Sequence, residues 1–92
     1  MIQVGNDGTL KRADIKVGWL RDNHIFDHND QKIGYFEGQN IFNIQGKRIA
    51  YIYGEFMVLV PADTRIRLEE NNKQVMGAIS DVARAAIALL LG

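Results

Sequence analysis

The sequence predicts a mainly β chain of four tandem β-hairpin units, each sixteen residues long, followed by one C-terminal α-helix. Three observations predict it. Apolar and aromatic residues recur at a spacing of sixteen, turn-forming residues recur at the same spacing, and the hydrophobic period becomes helical near the C-terminus.

In rows of sixteen, the units begin at Ile2, Gly18, Gly34 and Ala50. The second row carries Gly18-Trp19-Leu20, Ile25-Phe26-Asp27 and Lys32-Ile33. The third carries Gly34-Tyr35-Phe36, Ile41-Phe42-Asn43 and Arg48-Ile49. Row four keeps Ala50-Tyr51-Ile52 and Met57-Val58. In row one, Val4 falls on Leu20, Leu10 on Phe26 and Val17 on Ile33.

The turns follow the same spacing. Asn6-Asp7, Asp22-Asn23, Gly38-Gln39 and Gly54-Glu55 form one column, with residue types that tolerate the positive φ of two-residue hairpin turns. Half a period later, Asp27-His28-Asn29-Asp30 and Asn43-Ile44-Gln45-Gly46 suit a type I turn with a left-handed exit. Asp14 and Ala62 fall in the column of that exit.

Between turns, Ile, Val, Phe and Tyr enrichment predicts strands at Lys16–Arg21, His24–Asp27, Lys32–Glu37, Asn40–Asn43, Lys47–Tyr53 and Phe56–Val60. Shorter ones are expected around Gln3–Gly5 and Thr9–Lys11. Trp19 beside Leu20, and Tyr35 beside Phe36, place bulky groups on both faces, so both faces should be partly covered. The columns Leu20, Phe36, Ile52 and Phe26, Phe42, Val58 should each share one environment.

Ile66 and Leu68 alternate with Arg65, Arg67 and Glu69, which favours a final strand, and Asn71-Asn72 then offers a turn or helix N-cap. The repeat region is read as residues 1–70 and the apolar helix as 71–92. Within Lys73–Leu91, Val75, Ile79, Val82, Ala86 and Leu89 define a helical stripe. Met76, Ala83, Ile87 and Leu90 fall on an adjoining apolar face. They are assigned to self-association, because large exposed aliphatic patches mark interaction surfaces.

Eleven basic residues balance eleven acidic ones, which argues against a nucleic-acid partner and makes a homo-oligomer more plausible. There is no Cys, the N-terminal residues have no signal-peptide pattern, and the longest apolar run, Ala85 to Leu91, is seven residues. A span needs about 20. These features predict no membrane span and a cytoplasmic location.

Units of the form Gly-aromatic-apolar, tight turn, Ile-Phe-Asx, looser turn and Lys or Arg before Ile resemble the bacterial family called the four-fold beta flower. The segment Gly34 to Ile49 carries the resemblance best and Gly18 to Ile33 supports it. The likeness covers roughly Ile2 to Val60, and the apolar tail is similar too. Gln3 in the aromatic column and Val60-Pro61 in a turn depart from the pattern. The resemblance implies hairpin petals in a pseudo-four-fold arrangement. It implies no reaction, since the family has no assigned activity.

Trp19, Tyr35 and Tyr51 share a column and would ring a pseudo-four-fold axis. They are read as packing residues, with a small-molecule or sugar platform as the alternative. Lys16, Lys32 and Arg48 share another column, read as a solvated rim that blunts strand edges. His24, Asp27 and His28 are the one cluster whose residue types suit metal binding or acid–base work, and they are read as solvent-exposed hairpin residues. On a straight strand the two histidines lie about 13 Å apart, too far for one ion. No catalytic residue and no cofactor are expected. The functional expectation is a non-catalytic structural or interaction module that self-associates through its helix.

Overall fold

The apolar runs between turn signals form strands over most of the chain, which the computed structural model describes across residues 1–92. The strands are β1 (Ile2–Val4), β2 (Thr9–Arg12), β3 (Ile15–Arg21), β4 (His24–Asp27), β5 (Lys32–Glu37), β6 (Asn40–Asn43), β7 (Arg48–Tyr53), β8 (Phe56–Leu59), β9 (Arg65–Arg67) and β10 (Val75–Met76). Two helices follow β9: the short α1 (Leu68–Asn72), then α2 (Asp81–Leu91) after β10. All strands join one sheet in the order β10-β1-β2-β3-β4-β5-β6-β7-β8-β9. Only the β10–β1 pair is parallel. Nine strand spacings of about 4.8 Å would make a flat sheet about 43 Å wide. The longest dimension of the molecule is 33 Å. The sheet therefore curls, and α2 lies inside the curl against β4, β5, β6, β7 and β10.

Turn chemistry sets the register. The pairs Arg21↔His24, Glu37↔Asn40 and Tyr53↔Phe56 bracket two-residue turns. The first turn residue is left-handed in each: Asp22 (φ 54°), Gly38 (φ 59°) and Gly54 (φ 59°). At the looser turns, the Asp27 carboxylate accepts the N–H groups of Asn29 (2.9 Å) and Gln31 (3.0 Å). Asn43 Oδ1 accepts those of Gln45 and Lys47, both at 3.0 Å. Both turns leave through a left-handed residue, Asp30 (φ 65°) or Gly46 (φ 81°).

The first hairpin departs from this scheme. Its tip is one residue longer, closed by a Gly5 N–H to Thr9 C=O bond of 2.8 Å with Gly8 at φ 88°. The return turn, Ala13-Asp14, is one residue shorter, between the paired Arg12 and Ile15. Leu10 therefore stands opposite Gly18 as Ile25 stands opposite Gly34. Its counterpart is Ile25, one residue away from the Phe26 that even spacing gives. The turn after β8 is also longer than its counterparts, so the left-handed exit falls on Asp63 (φ 56°) in place of Ala62.

Three bulges decide which side chains face inward. Leu10↔Gly18 is followed by Lys11↔Lys16, Ile25↔Gly34 by Phe26↔Lys32, and Ile41↔Ala50 by Phe42↔Arg48. Each bulge inserts one extra residue, Val17, Ile33 or Ile49. All three extra residues are half-buried against the core. The Lys or Arg before each one stays on the outer face, which is the physical meaning of the recurring basic-apolar dipeptide.

Cross-strand neighbours on the inner face are Leu20–Ile25–Gly34–Asn43 and Phe36–Ile41–Ala50–Leu59. Ile2, Leu10, Ile25, Ile41 and Met57 are almost fully enclosed there. Phe36 and Ile52 are buried, whereas Leu20 in the same column is half-buried beside a surface cleft. The column of Phe26, Phe42 and Val58 also splits, with only Val58 buried.

The helical tail differs from its expectation. Residues 73–80 are not helical: Val75 and Met76 pair with Ile2 and Gln3, and α2 begins only at Asp81. Gly77 explains the break. It sits at φ 155°, and a Cβ there would lie 2.7 Å from Val4 Cβ. Ser80 is the N-cap and accepts the Ala83 N–H at 3.3 Å. Asn71 and Asn72 end α1 rather than start a helix. Small residues let α2 approach the sheet: Gly34 and Ala50 are buried, and a Cβ on Gly34 would meet Leu90 Cδ1 at 2.6 Å, whereas a Cβ on the buried Gly18 would meet the Phe26 carbonyl oxygen of β4. Arg12 reaches from β2 to the Leu91 carbonyl (3.2 Å), setting a cation at the negative end of the helix.

Candidate functional site

The outer face of the sheet is a grid. Directly opposed residues share a face, and the pairings give the cross-strand rows Thr9–Trp19–Phe26–Lys32, His24–Tyr35–Phe42–Arg48 and Asn40–Tyr51–Val58–Arg65. Each row ends in a cation. Gln3–Lys11–Lys16 precedes them.

Cations and rings stack on one another. Lys16 Nζ lies 3.7 Å from the Trp19 ring centroid and Lys32 Nζ 4.7 Å from that of Tyr35. The Arg48 guanidinium lies 4.8 Å from the Tyr51 ring, and Arg67 5.5 Å from Phe56. Tyr35 also stacks on Phe42, with centroids 4.9 Å apart and planes 15° apart. The aromatic column and the basic column are therefore one feature. A spacing of three residues puts two side chains on opposite faces of a regular strand. The bulges at Val17, Ile33 and Ile49 bring them to the same face.

Charge on this face is lopsided. The strand pairings place Lys11, Lys16, Arg21, Lys32, Arg48, Arg65 and Arg67 here, seven of the eleven basic residues of the chain. Glu37, opposite Asn40, is the only carboxylate among these rows. The other acidic residues occupy turns, the helices, or the end of β4 at Asp27. Trp19 Nε1 and His24 Nδ1 are enclosed on this face without hydrogen-bond partners.

Trp19, Tyr35 and Tyr51 are half-buried and line none of the four surface clefts. They stand on alternate strands in separate rows. His24 points across to Tyr35, with ring centroids 6.0 Å apart, and His28 is exposed in a turn. The Asp27 carboxylate is engaged by its own turn. No group of three His, Cys, Asp or Glu side chains converges anywhere in the chain.

The self-association residues separate. Ala83 and Ile87 are enclosed in the chain's own core. Leu90 is half-buried over Gly34, while Met76, on β10, is exposed. No helix is long and apolar enough to cross a membrane.

The largest cleft, about 640 Å³, lies between the tips of hairpins β1–β2 and β3–β4, where Asp7, Arg21, Asp22 and Ile79 meet. Asp7 Oδ1 accepts the Thr9 N–H at 3.0 Å, and that bond holds the carboxyl below its ordinary value of 3.8. The cleft is open to solvent, and its acidic groups belong to the turns.

The stacked cation–aromatic pairs escape a reading by columns alone. Their signal in the sequence is the spacing Lys16-x-x-Trp19, Lys32-x-x-Tyr35 and Arg48-x-x-Tyr51. No protein-family model, no curated protein and no solved structure matches this chain.

Proposed function

We propose that the chain is a non-catalytic structural or interaction module of four related hairpin units, and that the outer sheet face engages an anionic partner. The segregation of charge supports this reading: seven cations share a face with one strand carboxylate. Such a face attracts and orients an oppositely charged partner even when the whole molecule is neutral. The resemblance to the four-fold beta flower family fits, because it brings a frame and no reaction.

A sugar platform on Trp19, Tyr35 and Tyr51 is less supported. Each ring has a cation over it, and a neutral sugar carries no charge to draw that cation aside. The direct experiment is elution from an immobilised polyanion such as heparin in rising salt. Wild-type protein is retained at low salt and released as salt rises. The double variant Lys32→Gln, Arg48→Gln elutes at clearly lower salt. Flow-through of the wild type at low salt contradicts the proposal.

Self-association is a second reading, carried by Met76. It is 54% exposed on β10, a strand at the edge of the sheet. Unpaired edges are templates for another chain. Light scattering at high micromolar concentration tests it: a dimer that Met76→Lys dissociates supports the reading, and a strict monomer overturns it.

A further inference from the structure

We infer that the anionic partner is a single-stranded nucleic acid. This rests on the outer face being the interaction surface and adds the chemistry of the ligand. Neutral composition weighs against such a partner only when charge is averaged over the chain, and the sheet does not average it.

Two features favour this polymer over an acidic protein. Lys16, Lys32, Arg48 and Arg65 stand at equivalent places on β3, β5, β7 and β9, so cations repeat on every second strand. Across the strands two spacings, about 10 Å, separate each from the next, and each also steps one row along the strands. Between these cations lie aromatic rings, Trp19 with Phe26 and Tyr35 with Phe42. Proteins that hold single strands without sequence preference combine a basic track for the backbone with rings on which bases stack. An acidic peptide uses the charges and leaves the rings idle. A duplex conceals its base faces.

In the free protein the cations cover the rings. Lysine and arginine chains are long and flexible, and a phosphate draws them sideways while a base takes their place over the ring. Trp19 reports that exchange, being the only tryptophan of the chain.

The experiment titrates the full chain with a fluorescein-labelled oligothymidylate of about fifteen nucleotides, read by anisotropy, and with unlabelled oligomer, read by Trp19 emission. A polyglutamate peptide of equal charge is the parallel arm. The oligonucleotide is expected to bind at least about tenfold more tightly than polyglutamate and to quench Trp19. Binding weakens as salt rises, and Lys32→Gln reduces the salt slope by about one. Tyr35→Leu keeps the charge and should lose about tenfold toward the oligonucleotide, with no change toward polyglutamate. Equal binding of both polymers without quenching overturns this inference and leaves an acidic protein as the partner of the same face. No binding of either polymer at low salt overturns the outer-face reading itself.

Discussion

The two faces of one sheet solve the same sixteen-residue spacing in opposite ways. On the inner face the column Gly18, Gly34, Ala50 is small and buried, and α2 packs against β5 and β7, which carry Gly34 and Ala50. On the outer face the adjacent column Trp19, Tyr35, Tyr51 is large and half-buried, and long cations from the same strands lie over it. The inner face is completed by the protein's own helix. The outer face is covered only by side chains that can move. Stability should reside in the first and interaction in the second.

The largest stability losses should come from the inner face. Phe36, buried on β5, should lose about 3–5 kcal/mol on substitution by Ala, and Ile87, fully enclosed on α2, about 2–5 kcal/mol. Denaturant melts measure both; a loss below about 1 kcal/mol at either site would show the core loosely closed. Next comes Gly34→Ala. The new methyl would meet Leu90 Cδ1 at 2.6 Å and the Phe42 carbonyl oxygen at 2.7 Å. The side chain can yield but the backbone must shift, so about 1–3 kcal/mol is expected.

Ser80→Ala removes the cap of α2 and should lose about 1 kcal/mol. An unchanged melt would mean that tertiary packing alone fixes the start of the helix. Outer-face changes sharpen the contrast. Lys16→Gln removes the nearer of two cations over the Trp19 ring, leaving Arg21 at 5.6 Å, and should lose no more than about 1 kcal/mol, while weakening polyanion binding.

The smallest effect is electrostatic. Asp7 has a folded pKa below 3.8 because its carboxylate accepts the Thr9 N–H. Its stabilising contribution is present above the unfolded value and is lost as pH falls through the lowered folded value. Asp7→Asn keeps an acceptor but does not titrate, so its stability should fall less on acidification below pH about 4. Identical acid limbs for the two proteins would remove Asp7 from the account.

The strands were legible where local chemistry is complete. His24–Asp27, Lys32–Glu37 and Asn40–Asn43 match the sequence reading end to end, because a left-handed residue or an Asx acceptor bounds each one. Even spacing misplaces Leu10 because the first hairpin lengthens one turn and shortens the other. The total stays at sixteen, so the rows remain in step while the interior slips. The tail departs from its helical pattern for a different reason. Val75, Ile79 and Val82 fit a helical stripe, yet Val75 is buried as a strand beside β1, a pairing across most of the chain. Gly77 was the local sign of the break, since glycine inside a helix costs about 1 kcal/mol relative to alanine. The outer site was half legible. Both columns could be read, but their stacking depends on bulges that become visible only in the pairing.

These contrasts depend on α2 closing the inner face of its own sheet. Isotope-filtered nuclear Overhauser spectroscopy on a mixture of labelled and unlabelled chains tests it most directly, through the contact between the Leu90 methyls and the Gly34 α-protons. The structure predicts a strong cross-peak within one chain and none between labelled and unlabelled chains. A cross-peak only between chains would mean that the helix docks on a second copy, and no cross-peak at all would mean that it leaves the sheet.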